Sequence, residues 1–139
     1  GGGTEEQIQA MRTYGKKLGR AFQIQDDLLD LLSDEITLGK DVGSDIIEDK
    51  KTFLILYTRE HGSKEQLTRL KRLVRKADLS PNDLKIVISL LIEIGTIDAA
   101  RAEIKQALED ARLSLNKLTH PESKQLLSNL LDILKDRTY

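Results

Sequence analysis

The segment AFQIQDDLLDLLS, residues 21–33, contains three aspartates, Asp26, Asp27 and Asp30, and no basic residue. Its apolar residues recur at intervals of three and four, which is the period of an α-helix. Outward from this segment the same period continues through most of the chain, and the 139 residues include only 2 prolines. The sequence therefore predicts an all-α fold.

Capping residues, glycines and prolines divide this pattern into helices. Thr4 and Gln7 have the spacing of a capping box, which predicts a first helix from residue 5 to about residue 33. Residues 34–49 lose the apolar period and are expected to form a loop, and a loop of this length is more often functional than idle. Further helices are expected at 51–61, 64–76, 82–94 with Ser80 as N-cap, 97–117 and 122–135.

The predicted helices carry two kinds of packing face. Gly15 and Gly19 lie four positions apart inside the first helix, and because glycine lowers helix stability, the pair indicates a face that another helix approaches closely. Ordinary core faces are predicted where apolar residues recur at helical spacing. These core residues are Ile97, Ile104, Leu108, Leu115, Leu126, Leu127, Leu130 and Leu134.

The overall composition excludes several classes of function. The 22 Lys and Arg nearly balance the 23 Asp and Glu, so the net charge is −1 and there is no general basic field to hold nucleic acid or anionic lipid. The absence of Cys excludes disulfides, thiolate zinc sites and thiol nucleophiles. Since no run of 18 apolar residues occurs, we expect a cytoplasmic protein with no membrane span. The balanced charge predicts no nucleic-acid partner.

The charge is locally unbalanced. Residues 26–49 contain nine acidic residues and one base, Lys40, so this segment carries −8 and the rest of the chain carries +7. On a helix, Gln23, Asp26, Asp27 and Asp30 fall along one stripe. A solvated acidic face is one interpretation, but such faces usually interleave Lys or Arg, and residues 21–33 have neither.

Apolar side chains cover the other directions of this helix, so the carboxylates are predicted to face an interior and to need a compensating cation. An oxygen-only ligand set suits Mg²⁺ or Mn²⁺ rather than zinc. Because Mg²⁺ typically joins one or two carboxylates to substrate phosphates, the expected ligand is phosphorylated. Lys40 and Lys50 bracket a Gly-containing loop around Asp45 and are suited to hold phosphate oxygens. The pattern therefore predicts a metal-diphosphate site.

Four motifs occur in a fixed order: FQIQDDLLD at 22–30, GK at 39–40, GSDI at 43–46 and KKT at 50–52. Together they resemble the second aspartate-rich region of the trans-isoprenyl diphosphate synthases. The resemblance spans nearly the whole chain and implies that residues 1–139 are the C-terminal part of a polyprenyl synthetase domain, with the second aspartate-rich motif within 22–52. The implied fold is the C-terminal half of the isoprenoid synthase fold, a bundle of antiparallel helices.

The same resemblance implies a Mg²⁺-dependent prenyltransferase of the geranylgeranyl, farnesyl or polyprenyl diphosphate synthase type. Such an enzyme condenses isopentenyl diphosphate head-to-tail with an allylic prenyl diphosphate. By matching positions, Asp26, Asp27 and Asp30 would bind the Mg²⁺ on the allylic diphosphate. Asp45 would support a water bound to that metal.

The resemblance also implies the residues that bind substrate. Lys40 and Lys50 would hold the diphosphate directly, and with the three aspartates they would make up the catalytic set. Gln23 would reach the diphosphate and the developing cation, and Phe22 would pack near the homoallylic substrate. These roles need no protein nucleophile, which agrees with the absence of Cys.

One departure from the family pattern is the lack of a second Asp-Asp cluster, because a complete synthase also has an earlier aspartate-rich motif. We therefore expect this chain to be incomplete and inactive alone, to expose apolar surface on its first helix, and to form a homo-oligomer or bind the missing N-terminal half. The alternative is a non-catalytic helical regulatory or interaction subunit of a prenyl synthase. A generic helical adaptor would leave the charge of −8 in residues 26–49 unexplained.

Overall fold

The computed structural model describes residues 2–32, 51–74 and 80–136. The regular elements in these ranges are α-helices and one short 3-10 helix, which confirms the all-α prediction. The loop predicted at 34–49 lies outside the described residues. Among the described helices, none combines the length and the hydropathy that a bilayer-spanning segment needs.

Helix α1 covers Glu5–Leu32. Its start confirms the predicted capping box, since the Thr4 backbone N–H donates to Gln7 Oε1 over 3.0 Å and the Gln7 backbone N–H donates to Thr4 Oγ1 over 3.3 Å. These two bonds satisfy backbone donors that the first turn of a helix leaves without intrahelical partners. The side chains of two neighbouring polar residues therefore determine where the longest described helix begins.

Helix α2 covers Phe53–His61, two residues shorter at its start than predicted. Thr52 has an extended backbone and its hydroxyl accepts a hydrogen bond from the Ile55 N–H, so Thr52 is the N-cap and Lys51 precedes the helix. Gly62 follows the last turn, as predicted. Helix α3 covers Lys64–Val74, and the predicted extension to residue 76 lies outside the described residues.

Helix α4 covers Pro81–Ile94, helix α5 covers Thr96–Ser114, and helix α6 covers Pro121–Lys135. Ser80 caps α4 as predicted, and proline is the first residue of both α4 and α6, where its missing N–H costs no hydrogen bond. The helix predicted at 97–117 is in fact two elements, because a 3-10 turn at Leu115–Lys117 follows α5. His120 caps α6, with Nδ1 accepting from the Ser123 backbone N–H.

The chain divides into two compact units. The first unit contains Gly1–Gln23 and Ala102–Thr138, and the second contains Ile24–Arg101. In the first unit the buried apolar residues are Ala10, Tyr14, Ala21, Ile104, Ala107, Leu108, Ala111, Leu115, Leu131 and Leu134. In the second unit they are Ile24, Leu28, Leu31, Leu54, Ile55, Leu70, Leu84, Val87, Leu90, Leu91, Ile97 and Ala100.

Polar contacts join α1 to both α5 and α6 within the first unit. The Tyr14 hydroxyl donates to the Leu127 carbonyl oxygen over 2.8 Å. Lys17 Nζ lies 2.7 Å from Asp110 Oδ2 on α5, and Arg20, three positions further along α1, forms an ion pair with Glu103. These contacts hold the N-terminal two thirds of α1 against the C-terminal helices.

The core face predicted for the last helix is partly wrong. Leu134 is buried, but Leu126 and Leu130 are 69% and 42% exposed, and Leu131 is buried instead. Helix α6 has two parallel apolar rows, one through Leu126 and Leu130 and one through Leu127, Leu131 and Leu134. Packing in the first unit buries Leu131 and Leu134 of the second row and half-buries Leu127. On α5 the prediction holds, since Ile97, Ile104, Leu108 and the following Leu115 are all buried.

The prediction of a close helix contact at Gly15 and Gly19 is also wrong for the part of the chain that is described. Both glycines are exposed, and a Cβ added at either one would meet no atom within 4 Å. The buried residues of this part of α1, Ala10, Tyr14 and Ala21, lie on the other side of the helix. Contacts among the described residues therefore do not explain the two glycines.

Candidate functional site

Helix α1 carries five of the predicted site residues. Its C-terminal part is anchored by Ile24, Leu28 and Leu31, which are buried and repeat at intervals of four and three. This apolar row defines the core side of the segment. The side chains of the predicted site project from the other sides of the same helix.

The three aspartates keep contact with solvent. Asp26 and Asp27 are half-buried and Asp30 is exposed, so the prediction that these carboxylates face an interior is wrong for Asp30. The reason is geometric: Asp26 lies two positions from both Ile24 and Leu28, which is about half a helical turn away from the core side. Within the described residues, the carboxylates are accessible groups at the side of α1.

The two other predicted residues on α1 are accessible as well. Phe22 is 45% exposed, although it is the largest apolar side chain of the segment, and Gln23 is exposed. Gln23 and the aspartates follow one another over two turns of the helix, so the structure places them on one continuous element. Their predicted contacts with substrate remain predictions.

The sequence interpretation missed the burial of Gln25, which is only 1% exposed. A signal for it exists in the sequence, because Gln25 follows Ala21 by four positions and precedes Leu28 by three, and both neighbours are fully buried. A side-chain amide that is buried beside Ala21 and Leu28 needs hydrogen-bond partners to offset the loss of water. Gln25 is therefore a candidate for positioning the segment that carries the aspartates.

The chemistry of the donor set agrees with a hard divalent cation. Among the described residues, no three His, Cys, Asp or Glu side chains lie close enough to form a metal-binding group by themselves. Mg²⁺ does not require such a cage, because it retains waters and is often held by one or two carboxylates together with substrate phosphates. Asp26, Asp27 and Asp30 offer oxygen ligands only, and they fit this mode of binding.

The remaining predicted site residues, Lys40, Asp45 and Lys50, lie outside the described residues. Their roles therefore stay predictions. The described chain resumes at Lys51, which is exposed and directly precedes the N-cap of α2. The structure thus describes the three aspartates of the predicted site but neither of its two lysines.

Comparisons with known proteins agree with the motif-based interpretation. The family model described as polyprenyl synthetase matches residues 1–91, more than half of the chain. The geranylfarnesyl diphosphate synthase of Natronomonas pharaonis is 36% identical to the chain over 138 residues, which are 99% of this chain and 39% of that protein.

Solved structures show the same relationship. The geranylgeranyl pyrophosphate synthetase from Pyrococcus horikoshii matches with a TM-score of 0.83 and 34% identity, over 97% of this chain and 41% of that one. The geranylgeranyl pyrophosphate synthase from Corynebacterium glutamicum, complexed with isoprenyl diphosphate and magnesium, matches with a TM-score of 0.79 and 30% identity, over 99% of this chain and 39% of that one.

The chain spans about 40% of the length of these relatives. Within that span the match is nearly continuous, and the fold is that of the all-α isoprenyl diphosphate synthases. The match of the family model includes the whole of α1 and the aspartates on it. The chain belongs to the polyprenyl synthetase family.

Proposed function

We propose that this chain is the C-terminal part of a prenyltransferase that condenses isopentenyl diphosphate head-to-tail with an allylic prenyl diphosphate. The observation that carries the proposal is the family match over residues 1–91, because that span contains the complete predicted site from Phe22 to Lys50. The accessible carboxylates on α1 support it. The second aspartate-rich motif of the domain is assigned to residues 22–52.

In this proposal Asp26, Asp27 and Asp30 hold Mg²⁺ or Mn²⁺ against the diphosphate of the allylic substrate. A divalent metal held by these carboxylates would supply positive charge that offsets the negative charge of the leaving diphosphate. The exposure of Asp30 and the partial exposure of Asp26 and Asp27 leave their oxygen atoms accessible to a ligand. The C. glutamicum relative, which was solved with isoprenyl diphosphate and magnesium, supports this choice of metal and ligand.

Two lysines, Gln23 and Phe22 bind the substrates in this proposal. Lys40 and Lys50 hold the diphosphate through their ammonium groups, and they stabilise it more strongly once it carries the charge of a leaving group. The Gln23 side-chain N–H donates a hydrogen bond to a diphosphate oxygen, and Phe22 packs against the homoallylic substrate. The allylic cation left by C–O cleavage then bonds to the double bond of isopentenyl diphosphate, and the resulting carbocation loses a proton to the released diphosphate, so no side chain becomes covalently modified.

The complete enzyme requires more polypeptide than this chain. Because the chain spans about 40% of its relatives, we propose that the remaining part of the domain provides the first aspartate-rich motif and the rest of the substrate cavity. This chain alone is then expected to bind a diphosphate ligand without turnover. The alternative, a non-catalytic subunit, predicts no diphosphate binding at all.

Ligand-induced stabilisation tests the proposal. Mg²⁺ with a prenyl diphosphate, or with a bisphosphonate mimic, should raise the Tm of the chain, since a ligand at 100 times its Kd stabilises the folded state by about 2.7 kcal/mol. Either component alone should have a much smaller effect, and EDTA should remove the shift. No shift at millimolar ligand would contradict the proposal.

Matched variants assign the binding to the predicted residues. Asp26→Asn and Asp30→Asn should each abolish the ligand-induced shift. Asp98→Asn is the control, because the Asp98 side chain is 86% exposed on α5 and belongs to no predicted site. A shift that is retained in both site variants would place the binding elsewhere in the chain.

A further inference from the structure

Helix α3 concentrates positive charge on a chain whose net charge is −1. Its 11 residues contain four cationic residues and one acidic residue, Glu65, so the helix carries +3. We call the four cationic side chains the basic face of α3. They are Lys64, Arg69, Lys71 and Arg72, and all four are exposed. The near neutrality of the whole chain therefore conceals a positive surface as well as the acidic segment at residues 26–49.

The packing of α3 directs the basic face outward. Leu70 is buried, and Leu67 and Leu73, three positions away on either side, are half-buried, so these leucines form the core side of the helix. The Gln66 side-chain N–H donates to Glu93 Oε1 over 2.9 Å, which holds α3 against α4. The cationic side chains project from the remaining sides, along a helix about 16 Å long.

The cations of the basic face are not used in contacts within the described chain. Among the residues that the structure describes, none of these four side chains takes part in an ion pair. In the first unit, by contrast, Lys17, Arg20 and Arg112 each pair with an acidic residue of another helix. Glu93 accepts its hydrogen bond from Gln66 rather than from a cation. The positive charge of α3 is therefore accessible to an external anionic surface.

The surroundings of α3 favour an anionic bilayer over nucleic acid, which is the other extended phosphate surface. Helix α3 contains no aromatic residue that could stack on a base. Ile92 is 58% exposed and directly precedes Glu93, so an exposed apolar side chain lies within one residue of the contact between α3 and α4. Cations beside exposed apolar side chains are the combination that binds proteins to the surface of anionic membranes.

The chemistry of the proposed reaction gives a second reason for a bilayer partner. Each condensation lengthens the apolar chain of a prenyl diphosphate, and transfer of apolar carbon from water to hydrocarbon is favourable. The product therefore partitions into a bilayer. We infer that the basic face of α3 docks the protein on an anionic lipid surface that takes up this product. The choice of a bilayer rests on the proposed function, whereas the positive charge of α3 does not.

Vesicle co-sedimentation tests the inference with the full 139-residue chain, without metal or diphosphate. The chain should bind vesicles made of equal parts phosphatidylglycerol and phosphatidylcholine at least tenfold more strongly than vesicles of phosphatidylcholine alone. Raising NaCl from about 50 mM to about 500 mM should remove most of this difference, because salt screens exposed charges.

Matched charge variants assign the binding to α3. The first variant removes three cations of the basic face through Lys64→Gln, Lys71→Gln and Arg72→Gln. Each cation near an anionic membrane strengthens binding about fivefold, so this variant should bind at least tenfold more weakly. The control removes three exposed cations of the first unit through Lys16→Gln, Lys105→Gln and Lys135→Gln, and it should bind within threefold of the wild type. Since glutamine is a good helix former, both variants should keep the Tm of the wild type.

Four results would overturn the inference. They are an equal loss of binding in the two triple variants, no binding to phosphatidylglycerol vesicles at low salt, tighter binding per phosphate to a DNA duplex than to vesicles, and a dimer of the chain that the α3 variant dissociates. The last two would make nucleic acid or a second copy the partner. A chain that binds Mg²⁺ with a diphosphate but no vesicles would overturn this inference alone, so its failure is distinguishable from failure of the proposed function.

Discussion

The hydroxyl oxygens of Thr58 and Thr96 lie 2.9 Å apart in the interior of the second unit, where both residues are at most 1% exposed. Thr58 Oγ1 also donates to the Leu54 carbonyl oxygen over 2.7 Å. Since a hydroxyl group has one hydrogen, Thr58 must accept from Thr96. The pair therefore has a direction, and it joins α2 to the first residue of α5.

This direction predicts unequal costs for the two valine substitutions. Thr96→Val removes a donor from Thr58, which still donates to Leu54, so the free energy of unfolding should fall by about 1 kcal/mol. Thr58→Val leaves the Thr96 hydroxyl buried without its acceptor and should cost about 2 to 3 kcal/mol. Urea unfolding measures both values. The double variant should cost less than the sum, and equal costs for the single variants would contradict the assigned direction.

Tyr14 should contribute to stability in a pH-dependent way. Burial raises the pKa of its hydroxyl above the ordinary value of 10.0, although the positive charge of Arg112 opposes that shift. The folded pKa is the higher one, so the stabilisation is complete below pH 10 and is lost as the pH rises through the folded pKa. Tyr14→Phe should cost about 1 kcal/mol at pH 7, because the hydrogen bond to Leu127 is lost.

The measurement for Tyr14 compares urea midpoints of the wild type and Tyr14→Phe from pH 7 to pH 11. The difference between them should shrink above pH 10. Tyr57, which is outside the first unit, provides the control substitution Tyr57→Phe. A difference that stays constant to pH 11 would show that Tyr14 does not ionise differently in the two states.

Asp110 should contribute to stability in a way that changes at low pH, whereas the contribution of Tyr14 changes at high pH. The hydrogen bond from Lys17, then that from Gln106, lowers the pKa of this carboxyl below its ordinary value of 3.8. Its folded pKa is the lower one, so the stabilisation is present above about pH 4 and is lost as the pH falls through the folded value. Asp110→Asn should be modestly destabilising at pH 7 and equal to the wild type near pH 2. A constant deficit across this range, measured by urea unfolding, would exclude an electrostatic cause.

The glycines of helix α1 and the glycine after α4 should respond oppositely to alanine. Gly15→Ala and Gly19→Ala should each raise the free energy of unfolding by about 0.5 to 1 kcal/mol, because the new Cβ meets no neighbour and alanine favours the helix. Gly95 has φ +84°, a left-handed conformation that is strained for alanine. Gly95→Ala should therefore lower the free energy of unfolding by about 1 to 2 kcal/mol. Thermal unfolding measures all three. Destabilisation by Gly15→Ala would indicate a contact that the described residues do not contain.

Local signals in the sequence were enough to predict most of the helices. The Thr4–Gln7 capping box and the Ser80 N-cap are formed by residues within three positions of a helix start, so neighbouring residues contain the information. The order and spacing of Asp26, Asp27 and Asp30 with the two lysines also lie within one segment. That segment predicted the family, which the comparisons confirmed.

Tertiary structure decided which faces of those helices are buried. Helix α6 has two apolar rows of similar composition, and only contacts such as that between Tyr14 and Leu127, 113 positions apart, select the row that contains Leu131. Tertiary contacts likewise determine that Asp30 is exposed and that the space beside Gly15 is open. A helical period is a property of consecutive residues, so the sequence by itself determined the helices and their apolar rows. Burial depends on which distant surface meets a row, and this the folded chain alone determines.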